Sequence, residues 1–240
     1  MSISQRVRSL DARWYPGVAD NWDDELFRTA IQAHLHAAAR VLDLGAGAGI
    51  VTQMNFRGIA GHVCGVDLDE RVLQNPYLDE AHVGSGEQLP LPSDSFDVAF
   101  ADNVLEHLPD PARVFAEVHR VLKPGGVFLA KTPNKWHYMP LIARLTPHSF
   151  HRFYNRLRGR ASVDTFPTRY RANSRSDLAR LAREAGLTVE DLRLIESRPE
   201  YLRINPLTYA AGCAFERVVN SSTWLEGLRV LLVVQMRKSG

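Results

Sequence analysis

The short run Arg40-Val41-Leu42-Asp43-Leu44 opens directly into glycines at alternate positions, Gly45, Gly47 and Gly49. Glycine has no Cβ and tolerates left-handed backbone, so a strand ending here can turn sharply and admit a ligand close to its main chain. A tight strand-to-helix turn with no ligand would need the same residues. A second feature favours the ligand. The run His62-Val63-Cys64-Gly65-Val66 ends in Asp67, and a carboxylate about 20 residues beyond such a loop can accept from both hydroxyls of a ribose. A helix expected behind the glycines would add free N–H groups facing a carboxylate or phosphate.

Strand and helix signals alternate from there, which predicts α/β architecture with a mostly parallel sheet and helices on both faces. Strands are expected at 40–44, 62–67, 81–84, 96–101, 127–131, 187–195 and 228–236, seven in all, with the last antiparallel in an edge hairpin. A leading helix is expected over 24–39 and another over 206–219. The best-marked helix follows Asp110-Pro111, an N-cap and a residue suited to the first helical position. It is expected to stop at Lys123-Pro124-Gly125-Gly126, with a glycine as left-handed cap. Ser174-Arg175-Ser176-Asp177 reads as a capping box opening a helix that ends at Gly186.

One domain spanning 1–240 is expected, with an N-terminal helical and aromatic segment at 1–37 and an insertion at 133–173. Two cysteines cannot build a disulfide framework, and both read as reduced, buried thiols. The first residues lack an apolar core of the signal-peptide kind, so a cytoplasmic location is expected. Net charge is only +2, yet ten arginines lie between Arg144 and Arg183 against Asp164 and Asp177, a local +8. This is either a solvated face or a surface that attracts an anionic small molecule.

The loop reads G-x-G-x-G, whereas dinucleotide-binding loops read G-x-G-x-x-G, and Asp43 stands two residues ahead of it. A pyrophosphate gains nothing from a neighbouring carboxylate, but a sulfonium and an α-ammonium group do. Val41 to Gly49 resembles the first motif of the class I S-adenosylmethionine-dependent methyltransferases, and Gly65-Val66-Asp67-Leu68-Asp69 their second. The stretches Glu87 to Asp97 and Asn103 to Pro111 are similar to the third and fourth, and Leu122 to Gly126 to the segment before strand five. In that order they resemble the ubiquinone/menaquinone-biosynthesis-type branch, tightly over 38–135 and loosely over 174–238.

The resemblance implies a Rossmann-like fold and S-adenosylmethionine as cofactor. It places Asp43, Gly45, Ala46 and Gly47 around the methionine moiety, Asp67 on the ribose and Leu68 against the adenine. The loop with Gly86 and Glu87 would reach the adenine edge, and Asn103 the reactive end. Relatives often carry an aspartate two residues before Glu87. Here Ser85 stands there, and a charge-assisted bond to the adenine amine is lost.

Some quinone O-methyltransferases of the branch place a glutamate at the Asn103 position and bind a divalent ion with Glu106 and His107. Asparagine is a poorer ligand for a hard cation, so no metal is expected. An oxygen acceptor would gain from a general base, and the insertion offers His137, Tyr138, His148, His151 and Tyr154. The last three share a face if helical, and they are the candidate catalytic residues. The stretch Trp14 to Trp22 reads either as a lid or as plain packing. A small-molecule acceptor is expected. A nucleic-acid substrate is disfavoured by near-neutral total charge and the lack of a separate binding module. A non-catalytic cofactor-binding protein is the remaining alternative.

Overall fold

The computed structural model describes residues 5–145 and 167–240, and these fall into two compact units. The larger comprises Asn21–Pro133, Thr168–Arg193 and Leu232–Gly240, and the smaller comprises Met1–Asp20, Asn134–Pro167 and Leu194–Leu231.

The larger unit carries the sheet. Its strands are β1 (Arg40–Leu44), β2 (His62–Asp67), β3 (Glu80–Val83), β4 (Phe96–Asp102), β5 (Leu122–Pro133), β6 (Leu187–Ile195) and β7 (Leu231–Lys238). They lie in the order β3-β2-β1-β4-β5-β7-β6, with six strands parallel and the last antiparallel. The chain leaves β1 outward through β2 and β3, then returns to pair β4 on the other side of β1. Loops after β1 and β4 therefore diverge, and the gap at the carboxyl ends of these two strands is the topological switch point.

Helices cover both faces. Phe100 of β4 lies opposite Leu129 of β5, and Ala99 opposite Phe128. Paired residues share a face and alternate along the strand, so Phe100 and Phe128 point to opposite sides. Phe100 meets Phe27 of α2 (Trp22–Gln32) edge-on, with centroids 6.3 Å apart. Phe128 meets Phe115 of α3 (Pro111–Val121) at 5.7 Å. The apolar stripe Val114, Phe115, Val118 and Val121 of α3 is wholly buried.

Three local expectations are corrected. No α-helix follows the glycine loop, only a 3₁₀ turn at Thr52–Met54. The segment runs through β-branched Ile50-Val51-Thr52 to Gly58 and Gly61, poor material for a helix, and Arg28 ties it down by donating to the Asn55 carbonyl at 2.8 Å. Helix α3 ends without a glycine cap: Leu122 is already extended, and Gly125 takes left-handed backbone (φ 80°) in the following turn. Strand β7 pairs antiparallel with β6 at the sheet's edge, as expected, but lies inward of it, between β5 and β6. Its link to β6 contains a 15-residue helix, Pro206–Asn220, so the pair is no tight hairpin. The helix expected to open at Ser174 stands as α5 (Arg175–Ala185), with the Ser174 side chain accepting from Asp177 N and Gly186 left-handed at its end.

The smaller unit holds α1 (Gln5–Trp14), α4 (Tyr138–Leu145) and α6 (Pro206–Asn220). Val7, Tyr209 and Cys213 form its core. Trp14 stacks on Tyr209 at 6.0 Å, and the Tyr15 hydroxyl donates to Glu216 at 3.0 Å. Packing on α6 accounts for both aromatics. Both cysteines are free and buried. Among the described residues no helix is long and apolar enough to cross a membrane.

Candidate functional site

The switch point gathers the carboxyl ends of four strands. In register, Asp43 lies between Gly65 of β2 and Phe100 of β4, and Asp102 lies beside Lys131 of β5. The loop after β1 rests on β2: Gly45 N donates to the Val66 carbonyl at 2.8 Å, and Gly47 N to Asp67 Oδ2 at 2.8 Å. Gly45, Gly47 and Gly49 all have positive φ, 78°, 52° and 70°. A Cβ at Gly45 would fall 2.4 Å from a methyl of Val104, and one at Gly49 equally close to Asn75 Oδ1. Only glycine fits these two positions.

Asn75 is a residue that sequence reasoning missed. It is buried, and its amide donates to the carbonyls of Ala46 (2.9 Å) and Gly47 (3.2 Å) while its oxygen accepts from Tyr77 N. The signal was the Asn75-Pro76 dipeptide, a turn former, but its partners lie almost 30 residues away along the chain.

The mouth of the site is acidic. Asp43 is buried, and its pKa is pushed well above the carboxylate range by loss of water, with Asp102 and Asp67 adding repulsion. Burial pushes Asp102 up to about 6 against the pull of Lys131. Glu106, also buried, is raised to about 7, chiefly by desolvation, although its Oε2 accepts from Thr132 Oγ1 at 2.9 Å. Lys131 is fully buried and bonds Asp23 and Asp102 at 3.0 Å each, with Asp24 closer still. Burial opposes its charge, and those three carboxylates outweigh it and hold Lys131 as an ammonium. Asn173 continues the network by donating to Thr132 Oγ1 and the Pro133 carbonyl. This polar web at the ends of β4 and β5 was not foreseen. Lys131 and Thr132, closing the apolar run from Val127 to Ala130, were its trace in the sequence.

Beside the acids the surface is apolar. Leu68 and Ile50 are each 70% exposed, and Val83 is exposed too. Asp67 Oδ1 accepts from Asp69 N at 2.8 Å, leaving the carboxylate two unused lone-pair directions. Close-approach glycines, an aspartate at the end of β2, an exposed leucine beside it and the acids Asp43, Asp102 and Glu106 suit a nucleoside joined to a cationic group.

Comparison with known proteins decides the matter. Residues 42–130 match the family described as "Methyltransferase domain". A Pseudomonas aeruginosa protein named "Ubiquinone biosynthesis O-methyltransferase" is 33% identical over 72% of this chain and 71% of that one. The chain belongs to the S-adenosylmethionine-dependent methyltransferases. A Mycolicibacterium smegmatis relative named "Probable S-adenosylmethionine-dependent methyltransferase" is 35% identical over 66% of the chain, which spans only 56% of that relative's length. Among solved structures, the geranyl diphosphate C-methyltransferase of Streptomyces coelicolor with S-adenosyl-L-homocysteine superposes with a TM-score of 0.58 at 15% identity, covering 90% and 77% of the two chains. The [4+2]-cyclase SpnF superposes at 0.60 and 18% identity over 94% and 85%. At these identities the likeness is one of fold. The methyltransferase's cofactor is S-adenosylmethionine.

Of the residues picked out from sequence, Asp43, Gly45, Ala46, Gly47, Asp67 and Leu68 share the loop–β2 corner. Asn103 stands just beyond β4 in left-handed backbone (φ 53°), donating its side-chain amide to Asp102. Gly86 packs against Leu44. Glu87 turns its carboxylate to Asp110 N at 2.9 Å, which commits that oxygen to bracing the turn before α3. His148, His151 and Tyr154 lie outside the described residues. His137 is buried in the smaller unit: its Nδ1 accepts from Met139 N, and its Nε2 lies 3.5 Å from Glu196.

Proposed function

We propose that this methyltransferase methylates a small-molecule acceptor, at oxygen in preference to nitrogen or carbon. The buried Asp43, with Asp102 and Asp67 close by at the switch point, carries the reading. S-adenosylmethionine supplies a methyl group already activated by a positive sulfur. The chain's work is to hold the cofactor, align the acceptor and keep water out. Gly45, Ala46 and Gly47 give close backbone approach, and Asp43 offsets the cofactor's positive charge. Asp67 keeps two lone-pair directions for ribose hydroxyls, and Leu68 offers an apolar face to the adenine. For Glu87 the reading narrows: its backbone, with Ser85 and Gly86, faces the adenine edge while its carboxylate braces Asp110. Asn103 lines the reactive end.

An oxygen acceptor must lose a proton, and His148, His151 or Tyr154 takes it. The relatives named for O-methylation in ubiquinone biosynthesis support oxygen as the acceptor atom. An anionic acceptor would suit the arginines between 144 and 183. Of the described ones, Arg180 is paired with Glu184 and Arg171 donates to the Pro109 carbonyl. The test is mass spectrometry of a metabolite extract incubated with the protein and methyl-labelled S-adenosylmethionine. Label in one small molecule supports the reading. Label only in RNA, DNA or protein overturns it, as does an intact cofactor complex with no turnover on any class.

A further inference from the structure

The edge pair β2–β3 carries a set of chemistry-bearing side chains that methyl transfer does not use. His62 and Cys64 are two residues apart on β2, as are Glu80 and His82 on β3, so each pair shares one face of its strand. The register sets Cys64 opposite Glu80 and Val66 opposite His82, which puts all four on the same face of the sheet. Glu80 receives both imidazoles, His62 Nε2 at 2.9 Å on one oxygen and His82 Nε2 at 2.7 Å on the other. One ligand atom each from Cys64, Glu80 and His82 lies within 4.8 Å of the others.

Access and protection are both present. The thiol is wholly buried, while the side chains of His62, Glu80 and His82 are 29%, 40% and 31% exposed, leaving an ion a path from solvent. The nearby cation, Arg40, lies opposite His62 in register but sets its guanidinium over the Phe96 ring at 5.6 Å.

We propose that Cys64, Glu80 and His82 bind a divalent transition-metal ion of the zinc class, with His62 bracing Glu80. A thiolate, an imidazole and a carboxylate form a borderline donor set that favours zinc over magnesium or calcium. Three protein ligands leave a fourth position for water. Binding moves His82 Nε2 from Glu80 to the ion, its proton shifting to Nδ1 through solvent, and forms a sulfur–metal bond as the thiol releases its proton to buffer. Without the ion, burial and the Glu80 charge push the thiol up to about 12, so affinity rises with pH. The expectation of no metal was reasoned at Asn103, Glu106 and His107, a different turn. An ion here would clip the four-residue edge strand β3, which leads into the Gly84–Gln88 loop, onto β2.

Cobalt(II) titration of the reduced full-length protein tests this. One equivalent should bind with a thiolate-to-cobalt charge-transfer band and the strong visible bands of a tetrahedral site, and zinc should displace it. Cys64→Ser should abolish the charge-transfer band, and His82→Gln should weaken zinc binding at least tenfold. Zinc should raise the Tm of the parent protein and not of either variant. Circular dichroism and affinity for S-adenosylhomocysteine should be unchanged in both. If Cys64→Ser does not fold, Glu80→Gln and His82→Gln, at half-buried positions, decide by zinc affinity alone. A spectrum like that of aqueous cobalt at one equivalent, or a charge-transfer band that survives Cys64→Ser, overturns the site.

Discussion

The backbone N–H of Gly47 donates to Oδ2 of Asp67 across 2.8 Å, joining the glycine loop after β1 to the end of β2. Asp67 therefore acts twice, since the carboxylate fixing the loop also keeps lone pairs facing outward. The two sequence motifs on either side of this bond form one structural unit.

Removing that carboxylate should consequently cost more than one ligand bond. Asp67→Ala is expected to weaken S-adenosylhomocysteine binding by at least about 1.5–3 kcal/mol, the usual range for hydrogen bonds to a charged group. Asp67→Asn, which can still accept from Gly47 N, should lose less. Isothermal calorimetry measures both, with NAD as a control that should show no comparable binding. An unchanged Kd for Asp67→Ala would place the ribose elsewhere.

Asn75 and Gly49 should be energetically coupled. A Cβ at Gly49 would sit 2.4 Å from Asn75 Oδ1 and 2.9 Å from Pro76 Cδ. Gly49→Ala in the parent protein meets that clash and also the cost of left-handed backbone, about 1–2 kcal/mol. Asn75→Ala alone strands the Ala46 and Gly47 carbonyls and should cost about 1–3 kcal/mol. In the Asn75→Ala background the penalty of Gly49→Ala should shrink, because one of its two obstructions is gone. Strict additivity in denaturant melts would show that Asn75 does not support the loop.

The strands β1, β2 and β6 were legible to the residue because apolar runs ended in unmistakable punctuation: glycine, aspartate, or the Gly186 cap. The missing helix after Gly49 was not, since the resemblance of the loop masked the β-branched residues behind it. Gly45, Gly47 and Asp67 could be named because local spacing encodes them. Asn75, Lys131, Thr132 and Asn173 could not, because each gains its role only from partners brought close by the sheet, such as Asn173 and Thr132, 41 residues apart. Glu87 shows the converse: the motif picked the residue, yet its carboxylate serves Asp110.

The pH dependence of stability should expose Glu106. Burial raises its pKa from 4.5 to about 7, so the folded chain holds this proton more tightly than the unfolded chain. The resulting stability is full below about pH 4.5 and is lost as pH rises toward 7, by up to about 3 kcal/mol at 1.36 kcal/mol per unit. Glu106→Gln cannot ionise and keeps an acceptor for Thr132. It should flatten that part of the stability profile and be more stable than the parent protein above pH 7, as read from urea melts at several pH values. Parallel profiles for the two proteins would mean that Glu106 titrates normally.

The proton taken from the acceptor should pass to the insertion. His137, the described histidine of that stretch, is a poor candidate: burial drives its pKa down to about 3, and its Nδ1 is engaged with Met139 N. The carboxyls at the switch point are buried and face the cofactor's positive end in the proposed arrangement, so they suit charge compensation better than proton relay. His148 and His151 remain, with Tyr154 in the same stretch. Replacing whichever is the base with alanine should lower kcat by about 10²–10⁴-fold, while affinity for S-adenosylhomocysteine stays unchanged because the cofactor residues lie elsewhere in the sequence. Replacing Arg169 should raise KM for an anionic acceptor, and that increase should shrink at high salt. A kcat that survives in both histidine variants and in Tyr154→Phe would take the base out of the insertion, and His107, 3.9 Å from Glu106 Oε1, would be the next residue to replace.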